Sequence, residues 1–77
     1  MPTLHRIGAI SIRIYADDHR PPHVHIVSAE FEILVSISDG SIIAGKARQS
    51  EIREALKWVS WNREYLALKW IALHERG

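Results

Sequence analysis

Three of the five histidines, His19, His23 and His25, fall in one seven-residue window. Two carboxylates, Asp17 and Asp18, precede them, and Pro21-Pro22 separates His19 from the other two in the run Asp-Asp-His-Arg-Pro-Pro-His-Val-His. Imidazole exchanges protons near neutrality and ligates transition metals, so histidines beside carboxylates suit either proton transfer or ion binding. Pro21 and Pro22 fix φ and favour an extended, polyproline-like link, stiffer than an ordinary loop. After it, His23-Val24-His25-Ile26-Val27 alternates as a strand does. A period of two sends both histidines to one face, their Cα atoms about 6.5–7 Å apart.

Four roles fit these residues. The plainest is a solvated strand face, with Asp18 and His19 shaping a turn. A second is a metal site in which His23 and His25 form a His-x-His pair and His19 or Asp18 adds a third ligand. The chain has no cysteine, so that site would be an open nitrogen–oxygen one for a divalent metal such as zinc. A third is general acid–base cleavage of RNA or another phosphodiester, needing no cofactor. There His23 and His25 are the proton-transfer pair, His19 or Asp18 orients them, and Arg13 and Arg20 contact phosphate. The fourth uses the imidazoles for recognition alone. His5 and His74 are expected to be structural or incidental. No glycine-rich phosphate loop is present, and no Ser or Cys nucleophile is set beside a base.

Size and composition bound the rest. Seventy-seven residues, 47% of them hydrophobic, make one small domain with a core near the lower limit of self-sufficiency. A net charge of +1 and a pI of about 8.2 are too balanced to imply nucleic-acid binding from charge alone. The absence of cysteine fits a reducing compartment. The start, Met-Pro-Thr-Leu-His-Arg, lacks the apolar run of a signal peptide, and no stretch reaches transmembrane length. A cytoplasmic protein without membrane association is expected.

The elements that must position the histidines can be read from periodicity. Thr3 to Ile7 predicts a short first strand, with Gly8-Ala9 as a turn or bulge. Ile10 to Tyr15 alternates, placing Ile10, Ile12 and Ile14 in the core and Ser11, Arg13 and Tyr15 opposite. Phe31 to Ile37 alternates likewise, with Glu32 and Ser36 on the non-core side. Asp39-Gly40 is a hairpin signal, and Ser41 to Ala44 returns. Residues 1–45 are thus the sheet part and 46–77 the helical part of a single domain. In the helical part Ser50 is an expected N-cap. Ile52, Leu56, Val59, Leu66, Trp70 and Leu73 form the core stripe, and Asn62-Arg63 kinks it or divides it into two helices, with Asn62 capping the second. The predicted class is α+β: an antiparallel sheet of four to five strands, one face covered by one kinked or two consecutive C-terminal helices.

A second stripe, Trp58, Trp61, Tyr65, Leu68 and Ala72, runs about 120° around the helix from the first. It either fills the remaining core or is a surface for self-association or a partner. Glu51, Arg53, Glu54 and Lys57 make a solvated face.

Met-Pro-Thr-Leu-His-Arg-Ile-Gly, then Asp-His-Arg-Pro-Pro-His-Val-His, then Trp58-x-x-x-Asn62-Arg63-Glu64 together resemble a family of small bacterial proteins, domain of unknown function 4160. The resemblance spans nearly the whole chain, and Pro-Pro-His-Val-His is its most specific part. It carries over Arg6, Gly8, His19, Pro21, Pro22, His23, His25, Asn62, Arg63 and Glu64, with no catalytic role attached. It implies a stand-alone protein encoded beside another small protein, of a kind suggested as toxin–antitoxin components. The run Leu66 to Leu73 departs from the Glu- and Lys-rich last helix expected of the family, which favours a homodimer or hetero-complex at that end. The functional expectation is therefore a toxin-like component acting on RNA through its histidine pair. The alternative is a partner-binding or metal-binding antitoxin or adaptor half.

Overall fold

The computed structural model describes residues 3–74. Five strands, β1 (Thr3–Ile7), β2 (Ile10–Arg13), β3 (His23–Val27), β4 (Glu32–Ser36) and β5 (Ile42–Ala44), precede two helices, α1 (Gln49–Trp61) and α2 (Arg63–His74). The strands pair in sequence order, each antiparallel to the last. The architecture is the α+β one that periodicity predicts.

Short connections account for three of the four pairings, and a longer link, residues 14–22, joins β2 to β3. Gly8-Ala9 joins β1 to β2, with Gly8 at φ 58°. At Asp39-Gly40, Gly40 takes φ 77° and donates its N–H to the Ser36 carbonyl at 2.8 Å. Asp39 Oδ1 accepts the Ser41 N–H at 2.9 Å, and this bond holds the Asp39 carboxyl below its ordinary range. β5 is followed by Gly45, whose φ of 90° and closeness to β4 both demand glycine: a Cβ there would lie 2.9 Å from Ile33 Cα.

Alternation along the strands sends one set of side chains to each face. Ile12, Ile14, Val24, Ile26, Ile33, Val35 and Ile37 are buried beneath Ile52, Ala55 and Val59 of α1 and Leu66 and Trp70 of α2. Each buried Ile, Leu or Val side chain contributes about 1.5–3 kcal/mol by leaving water.

The N-cap of α1 is Arg48 rather than Ser50. Glu51, three residues on, accepts the Arg48 backbone N–H at 3.3 Å, and this reach-back sets the start of the helix. Asn62 divides the helical part in two, as expected, but its side chain serves the first helix. Its amide Nδ2 donates to the Trp58 carbonyl at 2.8 Å, while its backbone carbonyl accepts the Leu66 N–H at 2.8 Å to open α2. Arg63 Nε donates to the Ile37 carbonyl at 3.1 Å, and a second guanidinium nitrogen donates to the Ser38 carbonyl. These bonds dock the start of α2 at the end of the sheet where β4 finishes and β3 begins.

The second aromatic stripe divides. Trp61, Tyr65 and Leu68 are exposed, whereas Trp58 is half-buried and stacked on His5, with centroids 4.6 Å apart. His5 is register partner to Ile12 and so lies on the helix-covered face, where it withdraws Trp58 from the outer surface. Among the described residues, no helix is long and apolar enough to cross a membrane.

Candidate metal centre

The face opposite the isoleucine core carries Arg13 from β2, His23 and His25 from β3, and Glu32 from β4. Register does the positioning. Arg13 pairs with His25, and Glu32 pairs with Val27, so Glu32 is a diagonal neighbour of His25 on the same face.

The link between β2 and β3 supplies a fourth group. Asp18 N–H donates to the Tyr15 carbonyl at 3.3 Å, closing a turn that folds Asp18 back toward the histidines. Its Oδ2 lies 2.8 Å from His25 Nε2 and 3.3 Å from His23 Nε2. The path through Pro21 is not the extended polyproline one, because the Arg20–Pro21 peptide is cis. That isomer is open to proline because its tertiary amide favours trans only weakly.

Each imidazole is held from its other nitrogen. His23 Nδ1 is 2.8 Å from the Pro21 carbonyl oxygen. A carbonyl only accepts, so this nitrogen carries the proton and donates. His25 Nδ1 is 2.6 Å from Glu32 Oε2 and donates to that carboxylate in the same way. In neutral rings, both Nε2 atoms then present bare lone pairs to one carboxylate oxygen. Three electron-rich atoms in that arrangement repel unless a cation stands among them, either a proton on a ring or a metal ion. The ligand atoms of Asp18, His23 and His25 all lie within 4.8 Å of one another. A tetrahedral ion with bonds of about 2.0–2.2 Å sets its ligands roughly 3.3–3.6 Å apart, between the 2.8 Å of the shortest pair and the 4.8 Å limit of the cluster, so a modest withdrawal of Asp18 from His25 admits one.

Aromatic rings enclose the centre on the protein side. Tyr15 meets His25 edge-on at 4.5 Å, the two histidine rings are 5.2 Å apart, and Trp70 lies 5.4 Å from His23. Only 6% of His23 and 9% of His25 is exposed. The Asp18 and Glu32 side chains are 18% and 50% exposed, so water reaches the centre past the carboxylates. Trp70 is itself stacked on His74 at 3.7 Å, which gives His74 a packing role.

Of the residues singled out by sequence, the fold brings Asp18, His23 and His25 together and sets Arg13 beside them, its guanidinium donating to the Tyr15 hydroxyl at 3.3 Å. His19 is exposed and outside the cluster, and Arg20 is exposed. Sequence reasoning missed Glu32, Tyr15, Trp70 and the Pro21 carbonyl as parts of the site. Parity was a usable signal for Glu32, because it stands on the non-core side of its strand, as His23 and His25 do of theirs.

The sequence model of one protein family, described as Domain of unknown function (DUF4160), matches residues 9–71. No curated protein and no solved structure matches the chain.

Proposed function

This chain belongs to the DUF4160 family, and from that premise we propose that it is a module binding a divalent metal ion, zinc in the first instance, through Asp18, His23 and His25. The observation that carries this is the convergence of both Nε2 atoms on one Asp18 oxygen while both Nδ1 atoms are engaged elsewhere. Metal-binding imidazoles are typically oriented so: the far nitrogen donates to a carbonyl or carboxylate, which fixes the tautomer and strengthens the near nitrogen as a ligand. Pro21 and Glu32 provide those acceptors here.

Three nitrogen and oxygen ligands leave a position for water or substrate, as in catalytic zinc sites. Two histidines with one carboxylate also suit ferrous iron. A bound ion would supply Lewis-acid chemistry at that position. The chain's own part is to hold the two rings rigid on β3 and bring Asp18 over them. Elemental analysis of protein purified without a histidine tag tests the proposal. Near-stoichiometric metal, lost in the His23→Ala/His25→Ala variant, is expected. Protein that arrives metal-free and takes up no zinc at micromolar free ion would overturn it.

A second reading draws on the same contacts, with a proton in place of the ion. His25 has a carboxylate within hydrogen-bond distance of each ring nitrogen, a path along which a proton can be relayed through the ring. This supports the toxin-like component of a bacterial toxin–antitoxin pair acting on RNA, with Arg13 at the phosphate and a small cognate protein as partner. It is the weaker reading, because both rings turn to one carboxylate rather than to two sides of a phosphodiester. Slowed growth on expression of the chain alone, relieved in the same double variant, would favour it; harmless expression would sink it.

A further inference from the structure

Helix α2 has two apolar faces, and the sheet covers one of them through Leu66 and Trp70. On the other side Tyr65 and Leu68 are 44% and 63% exposed, and Trp61, at the end of α1, is 75% exposed. With Ala72 these residues recur at intervals of four, three and four. Within α2 that is the seam of a heptad repeat, with Leu68 at its d position and Tyr65 and Ala72 at its a positions, and Trp61 precedes it across the Asn62 break. Trp58 would extend the seam backwards, but its stack on His5 removes it.

The residues flanking the seam identify the occupant. In the same heptad Glu64 falls at g and Lys69 at e, both exposed. In a parallel pair of helices, each g residue faces the e residue of the following heptad on the other helix, five positions on. Glu64 therefore meets Lys69 of a second copy, and symmetry makes the contact twice. An antiparallel pair brings like flanks together and loses the match. Lys69 already lies over the Tyr65 ring, its Nζ 5.9 Å from the centroid, beside the seam it would flank.

We propose that this face is a homodimer seam, in which two copies of the chain pair their α2 helices in parallel. The seam is short, so the dimer is in reversible equilibrium with monomer. Every residue that decides it is exposed, so substitution leaves the core of the domain alone.

Sedimentation equilibrium of the full chain at low salt, over a wide concentration range, tests the proposal. A monomer–dimer equilibrium is expected. Glu64→Lys or Lys69→Glu alone sets like charges together twice and should weaken the dimer about tenfold. Combining the two reverses the pair and should restore the parent constant. Leu68→Glu should abolish the dimer with an unchanged circular dichroism spectrum. A monomer at the highest concentration would overturn the proposal. So would single reversals without effect, or losses that the combined variant does not recover.

Discussion

His25 and Glu32 stand 2.6 Å apart, ring nitrogen to carboxylate oxygen, as diagonal neighbours across β3 and β4. The contact fixes which face of the imidazole's chemistry is turned inward. With Nδ1 donating to Glu32, only Nε2 remains for a ligand, and it points at Asp18. Glu32→Gln preserves the shape of the side chain and removes its charge. Zinc affinity should fall about 10–100-fold, the usual cost of losing an orienting partner behind a ligand. Competition against a chromophoric chelator at fixed pH reads this directly, and an unchanged affinity would show that Glu32 does not orient the ring.

Metal should also stabilise the fold, since an ion that binds only the native state shifts unfolding by mass action. At free zinc one hundred times the dissociation constant, the gain is about 2.7 kcal/mol. For a domain of this size that is a rise in Tm of roughly 10–20 °C. Differential scanning fluorimetry with zinc and then chelator should show the rise and its reversal. Asp18→Asn should show a smaller rise, and His23→Ala/His25→Ala none. A double variant that responds as the parent does would place the ion elsewhere.

Two glycines with positive φ should respond unequally to alanine. Gly40→Ala meets nothing within 4 Å at φ 77°, so it carries only the backbone cost of about 1–2 kcal/mol. Gly45→Ala adds a clash with the β4 backbone and should cost clearly more, on the order of 3 kcal/mol. Urea unfolding of both variants decides the point. Equal losses would mean that β5 moves away from β4 without penalty.

Asp39 should leave a trace in the pH dependence of stability. The Ser41 backbone N–H favours its ionised form and lowers its folded pKa. A group depressed in this way contributes fully above its unfolded value of about 3.9. The contribution is lost as pH falls through the lower folded value. Asp39→Ala should therefore lose less stability than the parent on acidification through that window. Parallel curves from urea titrations at a series of pH values would refute this.

Much of the frame was legible in the residues themselves. Alternation at Ile10–Ile14 and Phe31–Ile37 reveals buried strands because side chains on a strand change face at every step. Asp39-Gly40 marks the hairpin because Gly40 takes a positive φ that few residues other than glycine tolerate. The same parity put His23 and His25 on one face, and Asn62 was visible as the break between helices.

What parity leaves open is which groups meet across chain separations. His19 and Asp18 are neighbours in sequence, yet the turn from Tyr15 brings only Asp18 into the cluster. Glu32 reaches His25 through strand register, and Trp70 reaches His23 because Arg63 docks α2 at that end of the sheet. Trp58 looked like its neighbours in the outer stripe until β1 placed His5 beneath it. Local pattern determined the elements and the face each residue takes, because those follow from backbone period alone. Tertiary structure decided the partners, because a few ångströms of register and one turn choose among side chains that the sequence presents as equivalent.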